Sequence, residues 1–321
     1  MSYLHKAAAL LFSLGVFLGN AVAAFPDKPV RFVVPFPPGG GTDAVARILG
    51  AELGRVWGQQ VVIENRAGAQ GNIGTAVGLQ SPPDGYTLVL AHQGVLTVNP
   101  HLYDNVGFDP TKDLVPVAMT TEQPFVLVVN PALPAATLSD LTALARQQPG
   151  KLTFASSSSG PQMAGEMYKM ASGVDLVHVA YKGAGPAVVD VLAGHVNMMF
   201  ANPTSVAPHV KSGKLRALAV FGGRRIDALP DVPTAAEAGY PQLGKNPEWY
   251  GVAVPAGTPD ELVKRLNADI VRALETADVQ KAIRALGLTP APGTAESFAR
   301  QIRLDHEEWG KVVRASGAKG Q

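Results

Sequence analysis

The chain has 321 residues, 46% of them hydrophobic, which is enough for one large core or two medium ones. Its charges nearly cancel, 27 Lys and Arg against 26 Asp and Glu, so it lacks the basic surplus that nucleic acid or an anionic membrane surface would need. Cysteine is absent, which excludes disulfides, thiolate nucleophiles, zinc–thiolate centres and lipid attachment to an N-terminal Cys.

In chain order, His5 and Lys6 precede an apolar run from Ala7 to Leu18, followed by the small residues Ala21-Val22-Ala23-Ala24. This order predicts a secretory signal peptide over residues 1–24, cleaved near Ala23 or Ala24, and a mature chain in the periplasm. The run is shorter than the roughly 20 apolar residues a membrane anchor takes.

From Pro29 the pattern alternates between strands and helices. Val30 to Phe36 reads as a buried strand, Pro37 to Gly41 as a loop, and Thr42 or Asp43 as the cap of a helix carrying Val45, Leu49 and Leu53 on one face. Strands follow at Gln60–Glu64 and Tyr86–Ala91, with a short helix from Gly71 to Leu79 between them. A second series begins near Pro124: strands at Phe125–Val129, Leu152–Ala155, Asp175–Tyr181, Val196–Phe200 and Leu215–Phe221. Helices separate them, one with Leu138, Leu141 and Leu144 in register and one with Met163, Met167 and Met170 in register. The chain closes with a strand from Trp249 to Val254 and helices starting at Pro259, Ala277 and Ala295. Alternating strands and helices imply an α/β fold with mostly parallel sheets, and two such series imply two lobes. The expected division is 25–123 with 240–321 for lobe 1, and 124–239 for lobe 2.

In open α/β sheets ligands bind at the carboxyl ends of the strands. Four loops there share one design of small residues followed by a helix start: Phe36 to Asp43, Ala155 to Pro161, Tyr181 to Pro186 and Phe200 to Pro203, the last containing Asn202. Exposed N–H groups and the positive end of a helix suit an anion, and Ser156, Ser157, Ser158 and Ser159 add hydroxyl donors without charge. Lys182 and Arg66 are the cations beside these loops. Each loop alone reads as an ordinary βα turn; four of them, in both lobes, point to a cleft between the lobes.

Other chemistries fail on detail. Gly39-Gly40-Gly41-Thr42 lacks the Lys of a phosphate-binding P-loop, and Gly183-Ala184-Gly185 lacks the third glycine of a dinucleotide fingerprint. The seven histidines show no paired metal spacing, so no metal and no cofactor are expected. A serine hydrolase using one of Ser156 to Ser159 with His92 as base is the rival from another class, but the serine run lacks the G-x-S-x-G elbow. His178 reads as a hydrogen-bonded core residue.

The same residues resemble the Bug receptors, the substrate-binding subunits of tripartite tricarboxylate transporters, nearly end to end. The matching text is Phe25-Pro26-Asp27-Lys28-Pro29, Pro35 to Asp43, Glu64 to Gly74, Pro82 to Leu88, Val179 to Gly183, Leu229 to Thr234 and Val254 to Pro259. The resemblance implies the type II periplasmic binding protein fold, two lobes that close on a ligand like a Venus flytrap. It implies no enzyme activity and a small carboxylate ligand held by amides, hydroxyls and water. Membrane permease subunits are the implied partners. On this basis Phe36, Gly40, Gly41, Thr42, Asp43 and Asn65 face the cleft from one lobe, joined by His92 and Gln93. Ser156 to Ser159, Tyr181 and Asn202 face it from the other. A monomer without nucleic-acid partners is expected, with a sensor role toward a signalling protein as the alternative to transport. Ala201 stands where the family often carries an aspartate that meets a ligand amine, which favours a plain organic acid. The loop after Ser159 runs Gly160-Pro161-Gln162-Met163-Ala164 and lacks the family's frequent His.

Overall fold

Alternation of side chains along apolar strands decides which face each residue takes. In β5 (Phe125–Val129) Phe125, Leu127 and Val129 join one buried cluster while Val126 and Val128 join another, so this strand is covered on both faces. The computed structural model describes residues 25–244 and 247–320; the expected signal peptide over 1–24 lies outside the described residues.

Two sheets form, one per lobe. The first has six strands in the order β11-β4-β10-β3-β1-β2, built from β1 (Val30–Val34), β2 (Val61–Asn65), β3 (Thr87–His92), β4 (Leu114–Gln123), β10 (Glu248–Pro255) and β11 (Thr289–Pro290). The second has five in the order β7-β6-β8-β5-β9, adding β6 (Thr153–Ser156), β7 (Val177–Ala180), β8 (Met198–Ala201) and β9 (Arg216–Phe221). The helices are α1 (Gly41–Trp57), α2 (Asn72–Leu79), α3 (Asn99–Leu102), α4 (Leu138–Gln147), α5 (Ser159–Ser172), α6 (Ala184–Ala193), α7 (Pro203–Lys211), α8 (Asp260–Glu275), α9 (Ala277–Ala285) and α10 (Ala295–Ser316).

Both sheets are mixed, where the alternating pattern implied mostly parallel ones. β1 runs parallel to β2 and β3, and β6 parallel to β7 and β8. β10 lies antiparallel to β3 and β4, and β5 antiparallel to β8 and β9. The reason is connectivity: a parallel neighbour needs a helix-length crossover, and β5 and β10 instead enter their sheets directly from the other lobe. The chain passes from the first sheet to the second at Pro124 and back between Phe221 and Glu248, and the register pair Glu248↔Gln123 sits at that junction.

The amphipathic helices seal the sheets. Val45, Leu49 and Leu53 of α1 and Leu266 and Ile270 of α8 are buried on one face of the first sheet, each contributing roughly 1.5–3 kcal/mol of burial. Leu79, Phe298 and Ile302 cover the other face. In α5 Met163 is fully buried and Met167 partly so, but Met170 is 46% exposed, because the helix turns that position away from the sheet.

Candidate functional site

The turn after β1 is shaped by a buried carboxylate. Gly39 has φ +88°, a conformation that favours glycine. Asp43 Oδ2 accepts the Gly39 N–H at 3.0 Å and Arg47 Nε at 3.0 Å, while Oδ1 accepts Asn65 Nδ2 at 3.0 Å. Asn65 also donates to the Phe36 carbonyl at 3.1 Å. Burial alone would push the Asp43 carboxyl up, but the bonds from Arg47, Gly39 and Asn65 together hold it below its ordinary range. The capping position belongs to Gly40, with α1 starting at Gly41; Asp43 sits inside the first turn and reaches back. Asp43 and Asn65 therefore brace the turn from behind, and Gly40, Gly41 and Thr42 are left to line the space in front of it. A Cβ on Gly41 would lie 3.4 Å from both Thr204 Oγ1 and the Tyr250 hydroxyl, so the backbone here approaches the other lobe closely.

The serine run divides in the same way. Ser156 ends β6 and pairs with His178 Nε2 at 2.7 Å. Burial, with the Lys169 charge nearby, pushes that imidazole down to about 4, so His178 is neutral. Ser157 and Ser158 line the cavity; Ser159 is fully buried in the first turn of α5. Tyr181 donates its hydroxyl to Asp190 at 2.6 Å and is pushed up to about 12 by burial and by that carboxylate, and it too stays off the cavity. Gln93 is fully buried and donates to Pro247 O at 3.1 Å and to Asp305 at 3.0 Å, tying β3 to α10.

Between these loops lies His92. Its ring packs against Phe36 at 4.7 Å and Tyr250 at 5.2 Å between centroids. Its Nε2 sits 3.2 Å from Glu248 Oε1, and both side chains are almost wholly buried. Burial lowers the His92 imidazole below its ordinary value, with Glu248 offsetting only part of that effect. Glu248 Oε2 accepts Gln123 Nε2 at 3.0 Å and also Asn202 Nδ2, which comes from the other lobe. Tyr250 is held well above its ordinary value by burial and by Glu248. Among the described residues no serine hydrogen-bonds to His92, whose Nε2 faces Glu248 instead, so the hydrolase pairing is not assembled.

One cavity of about 690 Å³ gathers the strand ends of both lobes. Phe36, Gly40, Gly41, Thr42 and His92 line it from the first lobe and Ser157, Ser158 and Asn202 from the second. Of the residues expected at the site from sequence, Asp43, Asn65, Gln93, Ser156 and Tyr181 do not line it, because each is turned into its own lobe by the contacts above, and Ser159 does not line it because it is buried against Gly94 of the other lobe. Sequence reasoning missed Tyr250, Thr204, Ser205 and His209 on the wall, and Glu248 beneath it. The burial of β10 is legible as an apolar run, but nothing in that run tells which end faces the other lobe. Lys182 lines the cavity, is exposed and makes no ion pair among the described residues, whereas Arg66 pairs with Glu64 away from it. The starts of α1, α5, α6 and α7 all border the space, so backbone N–H groups and hydroxyls converge there as anion donors. Among the described residues no group of three or more His, Asp and Glu could hold a metal ion. No described helix is long and apolar enough to cross a membrane.

The comparisons agree with this geometry. Residues 45–318 match the model of the tripartite tricarboxylate transporter family receptor. Protein BugT of Bordetella pertussis is 40% identical over 97% of this chain and 98% of its own length. An R. palustris protein solved with adipate is 34% identical, covers 91% of this chain and 98% of its own, and superposes with a TM-score of 0.88. MatC from Rhodopseudomonas palustris, solved with bound malate, is 32% identical over 90% of this chain and 100% of its own, with a TM-score of 0.84. The matching family is one of receptors rather than enzymes. With its two lobes and the cavity between them, the chain belongs to the tripartite tricarboxylate transporter family of receptors, the family that includes the Bug proteins.

Proposed function

We propose that this protein is a periplasmic receptor that captures a small carboxylate and delivers it to the permease of a tripartite tricarboxylate transporter. The observation that carries the reading is the convergence of four helix starts and of hydroxyl side chains, Thr42, Ser157 and Ser158 among them, on one cavity shared by both lobes. Helix N-termini carry roughly half a positive charge each, so a carboxylate is stabilised there without an arginine. In this reading Gly40 to Thr42 grip the ligand from lobe 1 and Ser157 and Ser158 grip it from lobe 2. Asp43 and Asn65 shape the first grip, and Lys182 adds the one lysine or arginine charge on the wall. The relatives that hold adipate and malate support a carboxylate of this class.

Closure belongs to the same proposal. Residues 25–123 with 240–321 move as one lobe and 124–239 as the other, hinged where the chain crosses between them. Ligand contacts to both lobes favour the closed state. The receptor acts as a monomer and is exported by its N-terminal signal.

Isothermal titration of the mature protein against mono-, di- and tricarboxylates tests the core of the reading. At least one acid should bind with a micromolar Kd. A folded protein that binds none overturns it. Fractionation of cells should place the protein in the periplasm, and loss of the permease should abolish uptake of the bound acid.

A further inference from the structure

The cavity changes character from its buried end to its open end. Three hydroxyl residues of the lining are buried, Thr42 at 5%, Ser157 at 9% and Ser158 at 4% exposed, while Asn202, Thr204, Ser205 and His209 are half-buried and Lys182 is exposed. An apolar strip lies on α6, running from the buried Val188 to the exposed Val189. Val188 and Leu192 are four residues apart and so share one face of that helix, with Val189 beside them. Val189 is 62% exposed, an apolar side chain left open to water at the mouth of the site. Pro37 and Pro38 of the glycine turn also line the cavity, and Gly183 at the start of α6 comes within van der Waals distance of Pro37, since a Cβ there would lie 3.4 Å from its Cγ. The side chains of this wall, two valines, a leucine and two prolines, hold no hydrogen-bond donor or acceptor.

Resting on the receptor reading above, we propose that the ligand is an acid with an unsubstituted hydrocarbon body, a medium-length chain or an aromatic ring, that lies along α6 while its carboxylate occupies the buried polar end. A cavity of about 690 Å³ is in the range that holds a drug-sized molecule. A hydroxyl on the ligand body would face the α6 wall without a partner and lose its hydration. A bare methylene would gain: each one buried multiplies affinity by about fourfold when fully covered, and by less on a wall that stays partly open.

Calorimetry with malate, succinate, adipate and 3-phenylpropanoate tests this. The tighter of the last two should bind at least about fivefold more strongly than succinate, for methylenes half covered by the wall, and malate should be the weakest. Val189→Asn adds polarity without charge at a position already exposed, so the thermal midpoint should stay unchanged. It should weaken the longer acid about threefold and leave succinate within about twofold. Malate or succinate binding as tightly as both longer acids overturns the inference and leaves the receptor reading standing. A Val189→Asn variant that weakens every acid equally also overturns it. A folded protein that binds none of the four, nor any other carboxylate, removes the receptor reading and this inference with it.

Discussion

Removing the Asp43 carboxylate should loosen the glycine turn and be visible in two independent measurements. Asp43 is only 5% exposed and accepts hydrogen bonds from the Gly39 N–H and from Asn65, both at 3.0 Å. A hydrogen bond to a buried charged group contributes about 1.5–3 kcal/mol, so Asp43→Ala should destabilise by about 2–4 kcal/mol once the shared geometry is allowed for. The Arg47 contact adds little to this, because its guanidinium faces solvent. Asp43→Asn keeps one oxygen for Asn65 but presents an amide to the Gly39 N–H, so it should lose roughly half as much. Urea denaturation reads both variants, with the midpoint falling by about 1 M or more for Asp43→Ala at an unchanged slope. The same variants should bind adipate at least about tenfold more weakly, since a turn with Gly39 at φ +88° no longer has its brace. The sign with pH follows from the direction of the Asp43 shift. Its carboxyl is held below the ordinary 3.8, so its contribution is complete above that value and disappears as the pH falls through the lower folded value. An Asp43→Ala midpoint within about 0.2 M of the parent, together with unaltered affinity, would refute the claim that this carboxylate shapes the site.

Three further outcomes follow from the same contacts. Gly160→Ala puts a methyl 2.7 Å from Glu248 Oε1 and 3.0 Å from Phe125 Cζ. Ala's helix propensity returns at most about 1 kcal/mol of the roughly 1–3 kcal/mol that overpacking costs, so the urea midpoint should fall modestly, while adipate affinity falls at least about fivefold from crowding between the lobes; equal affinity would contradict the packing. Lys182→Ala should weaken a carboxylate by about two- to fivefold and flatten the salt dependence of binding, as titrations at low and high ionic strength will read. Burial holds His178 at about 4 instead of the ordinary 6.5, so stability should decline as the pH falls from 6.5 to about 4, by at most about 3 kcal/mol for this residue. His178→Gln should lessen that slope in urea titrations across the range, and an unchanged slope would count against a neutral buried imidazole.

Much of the architecture was legible because it is local. Strand after strand announced itself as an apolar run bounded by Gly, Pro or Ser, and Phe125–Val129 appears with the bounds read from sequence. The helix with Leu138, Leu141 and Leu144 in register was legible too, and Thr137 caps it in a reciprocal arrangement with Asp140. The sheet order was less accessible. β4 escaped notice because its pattern is interrupted at Pro116, and its partners lie more than 120 residues away in β10. Which loop residues face the cavity was also hidden. Asp43 and Thr42 are neighbours in the chain, yet one braces the turn and the other lines the space, a difference set by where Gly39, Arg47 and Asn65 lie. The Asn202–Glu248 contact across the lobes joins residues that share no motif, and only the fold brings them together.

A crystal structure of the protein loaded with adipate is the most direct measurement of how the anion is held. One carboxylate should lie within hydrogen-bond distance of the Gly40–Thr42 turn and of Ser157 or Ser158, touching both lobes at once. Density for the acid elsewhere, as in the groove beside Thr137 and Arg216 on the second lobe, or a carboxylate contacting a single lobe, would contradict the account.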